Sequence, residues 1–164
     1  MIATVSIFGQ NRYWPYSKTR DGARGIVIRD GMLLTVHEQR TGWILLPGGG
    51  IEAGESPAEC VRREIREETG FLVEAGEEFL TLSEYYGEVR YVSHYFACTV
   101  TGEAAQSLTP AEAARGLVPR FLPVREAYDV FSRHADYDGI DEERRGSYLR
   151  EFTAIEAWFA HIRA

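Results

Sequence analysis

Apolar residues run in short blocks along most of this chain and fall at helical spacing in only a few places, the pattern of a strand-rich fold with few helices. Ala23 to Arg29 (ARGIVIR) and Met32 to Gln39 (MLLTVHEQ) read as two strands, and Asp30-Gly31 between them is a two-residue hairpin signal. Trp43 to Leu46 forms a short apolar strand that leads into Pro47 and the glycines. The segments around Phe79 to Tyr86 and Tyr91 to Thr101 form another antiparallel pair, turning near Gly87. A shorter strand around Arg120 to Leu122 precedes a helix from about Val124 to Phe131.

One helix is marked at both ends. Ser56 can cap it, Pro57 suits its first position, Glu59 completes a capping box and Gly70 stops it. Ala58, Val61 and Ile65 fall on one side, which should pack on the sheet, while Arg62 and Arg66 point to solvent. Glu64, Glu67 and Glu68 share a neighbouring sector, because positions i, i+3 and i+4 meet on a helix. Three adjacent anions repel one another, so a cation belongs beside them. Mg²⁺, or Mn²⁺ in its place, prefers carboxylate and carbonyl oxygens and brings phosphates with it.

The segment Gly49 to Phe71, GGIEAGESPAECVRREIREETGF, resembles the Nudix box, G-x5-E-x7-R-E-U-x-E-E-x-G-U, where U is a bulky aliphatic or aromatic residue. The fixed positions fall on Gly49, Glu55, Arg63, Glu64, Ile65, Glu67, Glu68, Gly70 and Phe71, without departure. At ordinary residue frequencies a chance match in a chain this long is on the order of one in a million. The resemblance implies an α/β fold, an α/β/α sandwich with a mixed central sheet, as one domain over residues 1–164. It also implies a Mg²⁺-dependent hydrolase that cleaves a pyrophosphate bond in a nucleoside diphosphate joined to another group.

On that reading Glu64, Glu67 and Glu68 are metal ligands, and the backbone carbonyl of Gly48 is a further candidate. Glu64 is also the candidate general base, and Arg63 stands beside it in the catalytic group. Arg63 and Glu55 read equally as structural partners, since a guanidinium fork can fix a carboxylate. Gly49, Glu55 and Gly70 complete the box structurally, and Glu52 is expected to face solvent. Glu112, in LTPAEAARG, is the candidate acidic residue from outside the box, although helix capping after Thr109-Pro110 explains it as well. Glu84 and Glu88 are weaker rivals near a turn.

For the substrate base, Trp43 and Tyr86 are the candidate aromatic faces, with Tyr85, Tyr91, Tyr13 and Trp14 as further ones. His37 and His94 read as packing or hydrogen-bonding residues. The subgroup stays open: ADP-ribose-cleaving members often carry a proline shortly after the box, and none occurs here before Pro110. Tyr86 lies near the place of a tyrosine in diadenosine-polyphosphate members. Two other readings compete: a Nudix module that senses a nucleotide without cleaving it, and an RNA 5′-end pyrophosphohydrolase.

Charge narrows the partners. A net charge of −7 argues against broad nucleic-acid binding, DNA included, and leaves metal ions and local arginines to attract an anionic substrate. A small nucleotide is the expected partner. Cys60 and Cys98 lack metal-like spacing and suit a reducing compartment. With no basic leader and no apolar stretch long enough for a bilayer, a cytoplasmic location is expected. From Ser147 onward, Leu149, Phe152, Ile155, Phe159 and Ile162 mark an amphipathic helix that covers the core or makes a homodimer contact. The charged segment from Ser132 to Gly146 reads as an exposed loop.

Overall fold

A computed structural model describes residues 1–9 and 15–164. In chain order come β1 (Ala3–Phe8), β2 (Lys18–Arg29), β3 (Met32–Glu38), β4 (Ile44–Leu45), β5 (Gly48–Gly50) and α1 (Pro57–Thr69). They are followed by β6 (Phe71–Tyr86), β7 (Val89–Glu103), α2 (Pro110–Arg115), β8 (Leu117–Pro123) and α3 (Val124–Ser132). A 3-10 helix at Arg133–Tyr137 and the long α4 (Glu142–Arg163) complete the chain. The strand path is β1-β6-β7-β2-β3-β4, with β5 paired to β2 and β8 to β3. β1 runs parallel to β6 and β7 parallel to β2, whereas the other pairs are antiparallel, so the sheet is mixed.

Each face of the sheet has its own helical cover. Cys60, Val61 and Ile65 of α1 pack with Ala23, Val27 and Phe96 on one side. On the other, Tyr148, Ala154 and Ile155 of α4 and Phe131 of α3 pack with Leu80, Leu82 and Tyr95. The expected α/β/α sandwich with a mixed sheet is therefore what the chain forms. Among the described residues no helix is long and apolar enough to cross a membrane.

Local signals worked where their chemistry is local. Asp30 and Gly31 both take left-handed backbone angles, φ 53° and 74°, as a tight strand-matching turn needs. Ser56 Oγ accepts from the Glu59 N–H at 3.1 Å while Glu59 accepts from the Ser56 N–H at 2.9 Å, the reciprocal cap that starts α1. Gly70, at φ 76°, ends it. Such a cap contributes about 1 kcal/mol and fixes the rotation at which the α1 carboxylates emerge.

Three expectations need correction. β6 and β7 extend well beyond the expected pair, because register shifts between Ala75 and Leu80 break the alternation that marks a strand. The segment from Ser132 to Gly146 is not one exposed loop: it holds the 3-10 helix and the first turn of α4, capped by Asp141, which accepts from the Arg144 N–H at 3.0 Å. Its charges pair locally, Arg145 forking onto Glu142 at 2.8 Å. Finally, the buried face of α4 centres on Tyr148, Glu151, Ala154 and Ile155. Of the expected stripe, Phe152 and Phe159 turn toward Tyr128 of α3, and Ile162 is 56% exposed. α4 does cover the core, but by a face that carries a buried glutamate.

Candidate active site

The α1 carboxylates meet the glycine loop as the sequence suggests, and an arginine organises them. Arg63 forks onto Glu55, with Nε to Oε2 at 2.7 Å and NH2 to Oε1 at 3.0 Å. Its NH1 donates to Glu64 at 2.8 Å and to Glu67 at 3.2 Å, and NH2 reaches the Gly50 carbonyl at 2.9 Å. Glu68 accepts from the Gly48 N–H at 3.0 Å and is 5% exposed. Arg63 is thus a clamp between helix and loop, and Glu55 is its anchor. Glu52 has a largely exposed side chain, 3.7 Å from the same guanidinium.

Electrostatics follow from these contacts. The Arg63 hydrogen bonds hold the Glu55 carboxyl down at about 2. Burial pushes Glu68 up to about 8, against the Arg24 charge and the Gly48 N–H. Burial likewise raises Glu64 against the pull of Arg63, with Glu67 and Glu112 adding repulsion. Glu112 therefore lies close enough for its charge to be felt at both Glu64 and Glu68. Its carboxylate is nevertheless spent locally, accepting from the Thr109 N–H at 2.9 Å in a second capping box. The hydrogen bonds that Glu112 makes are thus those of a helix cap.

As a donor set, three carboxylates beside uncrowded backbone fit a hard divalent cation. The fit shows most clearly at Gly49. A Cβ there would stand 2.5 Å from the Glu64 carboxyl carbon, so the glycine is the space that the carboxylate occupies. In this conformation Glu64 and Glu67 are turned onto Arg63. Among the described residues no group of three His, Cys, Asp or Glu side chains is gathered as an ion would hold it. Ligation by this set would require other rotamers of these long side chains. Gly48 touches the cluster through its N–H.

Gly49→Ala is expected to lower turnover by about tenfold or more while Tm stays close to wild type. The added methyl meets the movable end of Glu64 and displaces it without striking backbone, and misplacing a reacting group by about 1 Å can cost 10²-fold. Steady-state kinetics beside a melting curve separates the two effects; an unchanged kcat would show that the Glu64 position is immaterial.

Past Gly49 and Gly50 the loop opens into a cavity of about 740 Å³ on the α4 face of the sheet. One wall is aromatic, from Trp43, Tyr86 and Tyr91, and the floor is charged, from Arg24, Glu84 and Arg150. Trp43 and Tyr86 are therefore placed together, as a nucleotide site would need. Tyr85 is not with them: it lies on the other face of β6, stacked on Phe8 at 4.8 Å. Tyr13 and Trp14 lie outside the described residues. Glu88 sits at the β6–β7 turn and accepts from Ser17. His37 and His94 bond to Thr35 and Glu78 respectively, as strand histidines commonly do. Both cysteines are buried, and burial pushes each thiol up to about 12, which disfavours the thiolate.

The charged floor escaped the sequence analysis except for Glu84. Arg150 donates to Glu151 at 2.9 Å and stands 3.6 Å from Glu84, while Arg24 donates to the Leu46 carbonyl at 3.2 Å. Glu151 also accepts from the Tyr95 hydroxyl at 2.7 Å and the Leu46 N–H at 2.5 Å. The available signal was the helical position of Glu151, three residues after Tyr148 and four before Ile155, in the middle of the apolar face.

The glycine loop, the clamped acidic helix and the sandwich together define a Nudix protein. The family model described as NUDIX domain matches residues 18–142, and the chain belongs to the Nudix family. It is 33% identical over 131 residues to YjhB of Bacillus subtilis, named provisionally as an ADP-ribose pyrophosphatase; the match covers 74% of this chain and 63% of that protein. It is 37% identical over 105 residues to a MutT-like protein of Streptomyces ambofaciens, covering 63% of this chain and 66% of the relative. The chain thus spans just under two thirds of either relative. Among solved structures, a NUDIX hydrolase from Nitrosomonas europaea shares the fold at a TM-score of 0.64 and 19% identity, over 87% of this chain and 89% of that one.

Proposed function

We propose that this chain is a divalent-metal-dependent hydrolase, using Mg²⁺ or Mn²⁺, that cleaves the pyrophosphate bond of a nucleoside diphosphate joined to another group. The observation that carries this reading is the meeting of the α1 carboxylates with a glycine loop that opens on an aromatic-walled cavity. Glu64, Glu67 and Glu68 would hold the cation, with the Gly48 carbonyl and Glu112 as further donors. The bound ion supplies charge neutralisation on the phosphates and lowers the pKa of its water. Glu64, against Gly49, is the acceptor proposed for a proton of the attacking water. Arg63 fixes the loop through Glu55 and the Gly50 carbonyl. The name of the Bacillus relative, ADP-ribose pyrophosphatase, supports a nucleoside diphosphate joined to a sugar. No observation favours nucleotide sensing or RNA 5′ ends over this reading.

The test is product analysis of the purified chain with Mg²⁺ or Mn²⁺. The panel holds nucleoside triphosphates, ADP-ribose, nucleotide sugars, diadenosine polyphosphates, dinucleotides, coenzyme A and a 5′-triphosphorylated RNA. Metal-dependent release of a mononucleotide from one of the diphosphates is expected. Silence across the panel with nucleotide binding retained would overturn the hydrolase reading in favour of a sensor, and cleavage of the RNA alone would move the substrate to RNA ends.

A further inference from the structure

The cavity ends on a carboxylate whose own partners stand off from it. Glu84 is only 3% exposed, yet the Tyr86 hydroxyl reaches it at 3.4 Å and the nearest Arg150 nitrogen is 3.6 Å away. Arg150 is bound more tightly to Glu151, at 2.9 Å. Buried carboxylates ordinarily gather short, charge-assisted hydrogen bonds of about 2.7–2.9 Å from nitrogen donors. Here the acceptor capacity left over faces the cavity, because Glu84 lines it.

Register fixes where in the cavity this happens. Glu84 pairs with Tyr91 and Tyr91 with Arg20, while Leu82, Ser93, Gly22 and Gly50 form the row two residues along. From Gly50 to Glu84 the sheet crosses three strand gaps and two residues, about 16 Å at ordinary sheet spacings. A diphosphate held at the glycine loop and its ribose would take up that offset and leave the base beside Glu84. Tyr86 packs against α4: its hydroxyl lies so close to Gly146 that a Cβ there would clash with it.

We infer that Glu84 is a specificity-determining residue that accepts hydrogen bonds from an exocyclic amino group on the substrate's base, with the Arg150 guanidinium donating to the neighbouring ring nitrogen or carbonyl. The inference rests on the cavity being the nucleotide site. Burial raises the Glu84 carboxyl while the Arg150 and Arg24 charges pull it back; in its ionised form it only accepts, and the amino group is the base substituent that only donates. Bases that turn a carbonyl or bare C–H to the same place leave the buried carboxylate unmatched, which is the arrangement that discriminates strongly. Trp43, Tyr86 and Tyr91 supply flat faces for any base, so the selection falls to the Glu84–Arg150 pair.

The test is calorimetric binding of nucleoside 5′-monophosphates without metal, in pairs that differ by one amino group: GMP against IMP, and AMP against purine riboside monophosphate. In the pair whose amino group, at C2 or at C6, reaches Glu84, the amino-bearing member is expected to bind about tenfold or more tightly, and Glu84→Leu, which has no acceptor, is expected to collapse the difference, with circular dichroism confirming its fold. The pairs need no variant, so they stand even if Glu84→Leu folds poorly. Equal affinities within both pairs, or no binding by any, overturn the assignment. So does a loss that follows removal of the ribose hydroxyls in 2′-deoxy and 2′,3′-dideoxy GMP in place of the amino group. Hydrolysis is scored separately with Mg²⁺. Turnover without amino selection removes the Glu84 role alone, and amino selection without turnover removes the hydrolase reading alone.

Discussion

Glu68→Gln is expected to lose about a thousandfold or more in kcat while its melting temperature holds. A metal that polarises a phosphate is worth several kcal/mol of transition-state stabilisation, and each 1.36 kcal/mol is a factor of about ten. Glutamine keeps the oxygen that accepts from the Gly48 N–H at 3.0 Å, so the link between α1 and the loop survives. Burial already raises this carboxyl to about 8, so a neutral amide in its place adds no desolvation cost. The variant therefore separates a ligand from a structural carboxylate: a purely structural Glu68 would leave both Tm and kcat nearly whole, because the Gly48 contact is kept. Turnover measured across a Mg²⁺ titration, with a melting curve on the same preparation, decides between them. Near-normal activity at saturating Mg²⁺ would remove Glu68 from the metal site.

What the sequence could show follows from how local the chemistry is. Serine, proline, glutamate and glycine at the ends of α1 act within a few residues of one another, so the helix and its carboxylate face could be read directly. The Asp30-Gly31 turn is local in the same way. The cavity is not. Arg24 comes from β2, Glu84 from β6, and Arg150 and Glu151 from α4; only pairing and packing bring them together. The β6 pattern that would have placed Glu84 on the same face as Leu80 and Leu82 is interrupted by register shifts before Leu80. Arg150 and Glu151 look like the charged side of a surface helix unless the helical position of each is counted. Glu112 shows a different limit. One residue caps a helix and also charges the acidic cluster, and sequence spacing alone cannot weigh those roles.

The buried pair on α4 carries the second large effect. Glu151→Ala is expected to cost about 3–5 kcal/mol of stability, because it leaves the buried Arg150 with only the more distant Glu84, at 3.6 Å, and strands two further donors. At about 2–4 °C per kcal/mol for a chain of this size, Tm should fall by roughly 6–20 °C. Glu151 is fully buried and also serves the Tyr95 hydroxyl and the Leu46 N–H, so three partners lose their acceptor together. An Arg150→Met/Glu151→Leu double variant should recover only part of the loss: it removes the buried charge, but Leu46, Tyr95 and Glu84 remain unmatched. Acid should narrow the gap between wild type and Glu151→Ala. Burial alone would raise this carboxyl, yet the Arg150 and Arg24 charges and its hydrogen bonds outweigh burial and hold it below the usual range. A depressed folded value means the contribution is present above the unfolded carboxylate pKa, about 4.3, and is lost as pH falls through the folded one. Thermal melts from neutral pH to below 4 would show it, and a constant gap would place the stabilisation in packing. Because Leu46 lies two residues before Gly48, the same variant should loosen the glycine loop, so part of its lost activity would come from the α4 face of the sheet.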